Sequence, residues 1–206
     1  MPDNAMVLAT RNEGKISEIK ELLKGFNIEL KSLLDFDPIP PVIEDGKTFE
    51  DNAYKKAYFT AKVLGLPALA DDSGLVVEAL GGAPGVYSSR YAGNDATDPD
   101  RIIKLLMDMR GKANRMAHFE SVIIIAVPLG PALTYTGRCE GVITHEPKGE
   151  NGFGYDPIFY YPPLDKTFAQ MPREEKNGVS HRGKAMTKLR DEFDKVMIWL
   201  SHQSSR

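Results

Sequence analysis

The polar turn from Thr10 to Lys15 has the composition of a phosphate-binding site. It joins a short apolar run to an amphipathic segment, so we expect it to open a helix. Helix N-termini present free N–H groups and a positive dipole to anions, and Thr10, Asn12 and Lys15 would add a hydroxyl, an amide and an ammonium. The Gly-x4-Gly-Lys-Ser/Thr spacing of a P-loop is missing. A triphosphate tail would suit the turn, but equally Thr10 or Asn12 could serve only as a helix cap, with Lys15 in solvent.

Two adjacent carboxylates, Asp71 and Asp72, follow a short apolar strand and precede a Ser-Gly pair that resembles a turn. Neighbouring carboxylates repel each other, so the pair is costly unless a cation or solvent accommodates it. Magnesium binds through one or two carboxylates plus substrate phosphate, and α/β folds place ligands at strand ends. We therefore expect a metal site here, which Glu44 could also reach. The alternative is an Asx turn with both side chains in water.

An aromatic residue between two glycines, Gly152-Phe153-Gly154, can present its ring unobstructed to a nucleotide base. Stacking of a base on an aromatic ring contributes about 1 to 3 kcal/mol. Polar residues that could meet the edge of the base follow, namely Asp156, Lys176, His181 and Arg182. Taken singly, Phe153 and Tyr155 could instead be core residues, Asp156 a turn residue and His181 a surface histidine.

The composition excludes several functional classes. With 26 basic and 29 acidic residues, the chain is neither a polycation for nucleic acid nor a polybasic membrane anchor. Its longest apolar stretch, residues 122–128, is far shorter than the ~20 residues that span a bilayer. The single cysteine, Cys139, cannot form an internal disulfide. We therefore expect a cytoplasmic protein without a membrane span.

The first third of the chain predicts a β-loop-α-β unit that positions the polar turn. Residues 6–9 are typical of a buried strand, residues 15–23 of an amphipathic helix and residues 28–30 of a second strand. Thr48 and Asp51 form a capping box for a helix that ends near residue 64, before Gly65. A strand at residues 68–70 then leads directly into the two aspartates.

The remaining elements alternate strands with helices, which indicates an α/β fold with a mixed sheet. Asp98 and Pro99 predict the N-cap and first position of a helix through Met109. Residues 119–127 and 133–138 predict a hairpin. Residues 146–183 resemble a long functional loop rich in glycine, proline and aromatics. Ser180 or Arg182 begins a single final helix with a buried apolar face.

Taken together, these segments resemble the inosine triphosphate pyrophosphatase family, the XTP/dITP diphosphatases that remove deaminated purine nucleotides. The resemblance spans almost the whole chain, and the joint order of the motifs is far more specific than any one of them. One departure is Arg11, where many members carry glycine. The matching stretches are Thr10-x-Asn12-x-x-Lys15, Thr48-Phe49 to Asn52-Ala53 with Lys56, Ala70-Asp71-Asp72-Ser73-Gly74-Leu75, Gly81-Gly82-Ala83-Pro84-Gly85-Val86-Tyr87-Ser88, Gly152-Phe153-Gly154-Tyr155-Asp156-Pro157 and Ser180-His181-Arg182-Gly183.

The resemblance implies a fold, an activity and a set of residue roles. The fold would be one domain over residues 1–206, elongated, with two lobes around a mixed central sheet and the active site in the cleft between them. The enzyme would be a homodimer that uses Mg²⁺ to convert ITP, dITP and XTP to monophosphate and pyrophosphate. Asp72 would be the catalytic carboxylate and a metal ligand, with Glu44 and Asp71 completing the metal region. The substrate-binding residues would be Thr10, Arg11, Asn12, Glu13, Gly14, Lys15, Lys56, Ser73, Phe153, Gly154, Tyr155, Asp156, Lys176, His181 and Arg182.

Three other functions fit parts of the pattern. A related pyrophosphatase could act on modified pyrimidine or ordinary nucleotides, because phosphate and metal residues do not identify the base. A nucleotide sensor would bind without hydrolysis, but it would need no carboxylate pair. A magnesium-dependent phosphatase would release inorganic phosphate in place of pyrophosphate.

Overall fold

The chain forms a seven-stranded mixed sheet in a computed structural model that describes residues 4–204. In chain order the strands are β1 Ala5–Leu8, β2 Glu29–Ser32, β3 Ala68–Val77, β4 Met116–Ala126, β5 Ala132–Ile143, β6 Phe159–Tyr161 and β7 Lys166–Thr167. Their order in the sheet is β2-β1-β3-β4-β5-β6-β7. Strand β1 pairs in parallel with β2 and β3, whereas β6 is antiparallel to β5 and β7. The predicted α/β class with a mixed sheet is confirmed, and the single domain and the cleft between lobes stay predictions.

Local capping signals place most of the helices where the sequence predicts them. The helices are α1 Glu13–Leu22, α2 Phe49–Leu64, α3 Asp98–Asp108, α4 Arg173–Val179, α5 His181–Asp191 and α6 Phe193–Ser204. The capping box of Thr48 and Asp51 opens α2, and Gly65 ends it in the left-handed conformation at φ 67°. No helix within residues 4–204 is both long and apolar enough to cross a membrane.

Four details of the predicted elements are wrong. The N-cap of α3 is Thr97, which forms a capping box with Asp100, so Asp98 is instead the first helical residue. The single final helix is two helices, α5 and α6, and the predicted loop over residues 146–183 contains β6, β7 and α4. Strand β3 does not end before the aspartates but runs through them to Val77. The Ser-Gly pair is therefore part of a strand, because the apolar residues beyond it continue the buried face.

The described residues group into two compact units, each with its own apolar core. Unit 1 contains the residues up to Asp72, Val122–Thr136 and the residues from Ala185 onwards. Its core packs β1 against α1, α5 and α6, with Leu8, Ile19 and Phe193 almost fully buried. Unit 2 contains Ser73–Ser121 and Gly137–Lys184. Its core is rich in aromatics, among them Phe119, Phe159 and Phe168.

Candidate active site

The turn that was predicted to bind phosphate lies between β1 and α1 in unit 1. Asn12 is the N-cap of α1, since its Oδ1 accepts a hydrogen bond from the Lys15 backbone N–H at 3.0 Å. The Asn12 backbone N–H in turn donates to Thr10 Oγ1 at 3.1 Å. Arg11, Glu13 and Gly14 are exposed. The cap fixes the turn, and the helix start presents backbone N–H groups on which an anion can bind.

Lysines from two helices pair with the carboxylates of β3. Lys15 Nζ, from α1, donates to both carboxylate oxygens of Asp71 at 2.8 Å, and the Asp71 side chain is only 7% exposed. Lys56 Nζ, from α2, donates to Asp72 at 2.9 Å and to Glu44 at 3.1 Å. Successive side chains of a strand point to opposite faces, so the two aspartates meet different lysines and their mutual repulsion is small.

Burial and the neighbouring charges both shift the pKa values of Asp72 and Lys56. Burial raises the pKa of Asp72, the Lys56 ammonium opposes that rise, and the charge of Glu44 adds to it. Burial disfavours the charge of Lys56, but Asp72, Glu44 and Asp71 together raise its pKa. The lysine therefore stays charged, while Asp72 is a stronger base than an ordinary aspartate.

The amide of Asn52 adds a polar group beside Asp72. It is fully buried, its Oδ1 accepts from the Gly46 N–H at 2.8 Å, and its Nδ2 has no hydrogen-bond partner within 3.5 Å among residues 4–204. The amide nevertheless faces Asp72 closely enough to lower the pKa of that carboxyl. Asn52 was not among the predicted site residues, because a polar residue inside a helix pattern gives no sign of what it faces.

The carboxylates offer a small donor set for a divalent cation. Among the described residues, no group of three or more His, Cys, Asp or Glu side chains is arranged to hold a metal ion. Glu44 and Asp72 do converge on one positive charge, the Lys56 ammonium, whereas Asp71 is engaged by Lys15. Magnesium requires only one or two carboxylates when substrate phosphates and water complete its shell. Glu44 and Asp72 therefore fit such an ion better than Asp71 does.

A pocket of about 180 Å³ in unit 2 gathers the residues predicted for the base. The ring of Phe153 is 62% exposed, and the flanking Gly152 and Gly154 have φ of 78° and 62°. A Cβ on Gly152 would lie 2.0 Å from Asp156 Oδ2, so only glycine fits there. The lining residues are Ser73, Gly74, Ser88, Ser89, Asp98, Arg101, Phe119, Phe153, Gly154, Tyr155, Asp156, Lys176, His181 and Arg182.

Cations and a buried carboxylate surround the exposed ring. Lys176 Nζ lies 4.8 Å and Arg182 Cζ 5.9 Å from the centre of the Phe153 ring. Asp156 is buried, pairs with Lys176 and accepts from the Phe153 N–H at 2.9 Å. Burial raises the pKa of Asp156, and the charge of Lys176 opposes the rise. Asp156 is thus engaged in holding the loop and the lysine.

The other predicted residues of this pocket each contact another residue of unit 2. His181 stacks on Phe119 with ring centres 4.7 Å apart. Ser73 donates to Ser121 Oγ at 2.9 Å. Tyr155 is buried and its hydroxyl donates to the Ser88 carbonyl at 2.9 Å, so its ring belongs to the core of unit 2, although the residue also lines the pocket.

Six lining residues were not predicted to belong to a site, namely Gly74, Ser88, Ser89, Asp98, Arg101 and Phe119. Asp98 was expected only to cap a helix, and its contact with Gly154 joins residues 56 positions apart. No local sequence signal reveals such a contact.

The chain is similar to known proteins over almost its whole length. The model of the Ham1 family matches residues 6–192. A dITP/XTP pyrophosphatase of Desulfotalea psychrophila is 57% identical over 97% of this chain and 90% of its own length. A second, of Syntrophobacter fumaroxidans, is 59% identical over 95% of this chain and 84% of its own. The solved structure of a HAM1 protein from Coxiella burnetii is 44% identical, with a TM-score of 0.90, and covers 93% of this chain and 99% of that one.

Proposed function

The chain belongs to the Ham1 family, and on that premise we propose which of its residues carry out the reaction. The protein is a nucleoside triphosphate pyrophosphohydrolase that converts ITP, dITP and XTP to monophosphate and pyrophosphate. One observation carries the assignment of residues. Charged lysines stand against partly buried carboxylates in unit 1, and unit 2 exposes an aromatic ring flanked by cations.

The triphosphate binds to the turn and the two lysines of unit 1. The N-terminus of α1 and Thr10 offer hydrogen bonds to phosphate oxygens, and Lys15 and Lys56 offer charge. Both lysines are already held in place by carboxylates, so little side-chain freedom is lost when phosphate oxygens approach. None of these groups meets the base, so they bind any nucleoside triphosphate.

Asp72 is the general base. A water attacks the α-phosphorus, its proton passes to the Asp72 carboxylate, and the bond to the bridging oxygen breaks so that pyrophosphate leaves. Burial raises the pKa of Asp72 and so makes it a better proton acceptor. Lys15 and Lys56 stabilise the charge that develops on the phosphate oxygens. Glu44 and Asp72 would hold the magnesium ion, which when bound neutralises phosphate charge and favours ionisation of water.

The base binds in the pocket of unit 2. Stacking on Phe153 gives affinity for any purine, so selection must come from the edge of the base. Inosine and xanthosine carry a 6-oxo acceptor where adenosine carries a 6-amino donor. Donors from Arg182, His181 or Lys176 pair with the first and oppose the second, and a site built on such pairing discriminates by up to about 10⁴- to 10⁵-fold.

The product of the reaction tests this function. Incubation with ITP, XTP, GTP and ATP in the presence of Mg²⁺, with pyrophosphate and phosphate measured separately, should give pyrophosphate from ITP and XTP in one step. Stepwise phosphate release through a diphosphate would indicate a phosphatase, and equal turnover of all four would contradict selection by the base.

A homodimer in the cytoplasm is the proposed state of the enzyme. The family resemblance supports the dimer, and the balanced charge and single cysteine support a reducing compartment. Light scattering on the purified chain measures the assembly directly.

A further inference from the structure

The carboxylate of Asp98 is not needed to start its helix. At the first turn of α3, Thr97 Oγ1 accepts from the Asp100 N–H at 3.4 Å, and Asp100 Oδ2 accepts from the Thr97 N–H at 2.9 Å. That capping box satisfies the helix start without Asp98. Asp98 nevertheless lines the base pocket of unit 2.

Both oxygens of Asp98 are engaged with other parts of unit 2. Oδ2 accepts from the backbone N–H of Gly154 at 2.6 Å, and Oδ1 forms an ion pair with Arg101. Arg101 Nη1 also donates to the carbonyls of Ser89 at 2.9 Å and Ala96 at 2.5 Å. The carboxylate is therefore fixed by an arginine that is itself anchored, and it holds the residue that follows Phe153.

The Phe153 ring depends on its backbone for orientation. At 62% exposure its own packing holds it weakly, and two glycines with positive φ flank it. Such a segment has many accessible conformations unless hydrogen bonds fix it. Asp156 Oδ2 accepts from the Phe153 N–H at 2.9 Å, and Asp98 accepts from the next N–H in the chain. Two consecutive backbone N–H groups, those of Phe153 and Gly154, thus each donate to a carboxylate.

We propose that Asp98 is a positioning residue that fixes the Gly154 backbone and thereby presents the Phe153 ring to the base. The proposal rests on the proposed role of Phe153 in stacking. Asp98 lowers the entropic cost of binding by ordering the loop before the nucleotide arrives. Its effect on affinity therefore cannot exceed that of removing the ring.

The kinetic test compares Asp98→Ala with Asp100→Ala, which removes a carboxylate from the same helical turn but leaves the Gly154 contact intact. A hydrogen bond to a charged group is strong enough that Asp98→Ala should raise KM for dITP about 10-fold, with kcat changed less than about 2-fold. Asp100→Ala should leave KM within about 2-fold, since only the helix cap is lost. Asp98→Asn keeps an acceptor for Gly154 and should recover part of the loss.

A double-variant cycle separates positioning from direct contact. In the Phe153→Ala background, Asp98→Ala should change KM less than about 2-fold, because there is no ring left to position. A full further rise in KM there would overturn the proposal in favour of direct contact with the nucleotide. A fall in kcat as large as the rise in KM would overturn it as well.

Hydrogen exchange of the Gly154 amide tests the same contact without substrate. Asp98→Ala should accelerate the exchange and Asp100→Ala should not, because Asp98, and not Asp100, accepts from that N–H. Unchanged exchange in Asp98→Ala refutes the proposal. If the wild-type enzyme releases no pyrophosphate from dITP, the proposed function fails, while the exchange experiment still decides whether Asp98 holds the loop.

Discussion

The lysine and carboxylate cluster of unit 1 and the base pocket of unit 2 use charge in different ways. In unit 1 the charged groups themselves are proposed to act in the reaction, and Lys15 and Lys56 are each paired with a strand carboxylate. In unit 2 the buried pair of Asp156 and Lys176 supports a loop, and an uncharged ring is the group left exposed. The proposed reaction thus requires charged groups that are already positioned by ion pairs, whereas recognition of a base requires an ordered aromatic surface.

This difference determines how substitutions in each region should behave. Removing one member of a buried ion pair leaves the other uncompensated, at about 3 to 5 kcal/mol. Lys176→Ala is therefore a poor test of base recognition, since it leaves Asp156 buried without its partner. Replacing the exposed Phe153 ring removes its contacts with Lys176 and Arg182 but leaves no buried charge unpaired, so its main effect should be on ligand binding.

The largest effect is expected from Asp72→Asn. The amide keeps the size of the side chain but can neither accept the proton of water nor bind a cation as a carboxylate does. General-base help contributes about 10² to 10⁴-fold, so kcat should fall by that order with KM much less changed. Lys56 still has Glu44 as a partner, so the fold should persist.

The matched control for that variant is Asp71→Asn, on the adjacent residue of the same strand. Because Asp71 is engaged by Lys15, its substitution should reduce kcat far less than Asp72→Asn does. Single-turnover rates with dITP measure both. Near-normal turnover in Asp72→Asn together with a large loss in Asp71→Asn would assign the role of general base to Asp71 instead.

A second, smaller effect is expected from Lys15→Ala. A charge-assisted hydrogen bond contributes about 1.5 to 3 kcal/mol, which corresponds to a rise in KM of about 10- to 100-fold. The rise should be the same for ITP, XTP and GTP, because a phosphate contact carries no information about the base. A loss confined to one nucleotide would place Lys15 in base recognition instead.

Two variants control for the stability of Lys15→Ala. The substitution leaves Asp71 buried without this partner, so the double variant Lys15→Ala/Asp71→Asn should regain stability without regaining affinity. Lys20→Ala removes an exposed lysine from the same helix and should leave KM unchanged. Thermal unfolding of each variant, compared with its KM, separates loss of the fold from loss of the phosphate contact.

Unit 1 was easier to predict from the sequence than unit 2. The cap of α1 and the capping box of α2 lie within four residues along the chain, so local patterns indicate them. The placement of Asp71 and Asp72 on separate partners was missed because Ser73-Gly74 resembles a turn. Only the continuation of β3 to Val77 reveals the alternation of faces.

The sequence predicted many of the residues that line the pocket of unit 2, but not the contacts that hold them in place. Phe153 between two glycines is a local signal, and the ring is indeed exposed. The hydrogen bond from Gly154 to Asp98 and that from Tyr155 to Ser88 connect distant segments, so no periodicity or motif indicates them. Contacts of this kind depend on tertiary packing, which sequence patterns do not contain.

Phe153→Ala tests the pocket directly, with a smaller effect than the substitutions in unit 1. Loss of base stacking costs about 1 to 3 kcal/mol, and for a ring as exposed as Phe153 we expect the lower part of that range, so kcat/KM should fall about 10-fold for ITP and XTP alike. Phe153→Leu keeps apolar area without the aromatic face and should recover little. If the leucine variant matches the wild type, burial of apolar surface rather than stacking holds the base.

The smallest effect concerns the titration of Asp72. That titration depends on the charged groups of unit 1 and not on the uncharged Phe153 ring of unit 2. Asp72 must be ionised to accept a proton, and burial and the charge of Glu44 raise its pKa above the ordinary value of 3.8. In the metal-free protein the Asp72 carboxyl is therefore fully ionised above the raised pKa and loses its charge as pH falls through it, at a pH above the range of an ordinary aspartate. The ¹³C chemical shift of that carboxyl carbon, followed against pH without Mg²⁺, measures this titration. Glu44→Gln removes one negative charge that contributes to the rise, so the titration should move to lower pH. Phe153→Ala changes no charge and should leave the titration where it is. A titration that shifts in Phe153→Ala, or stays fixed in Glu44→Gln, would show that the charge of Glu44 does not act on Asp72.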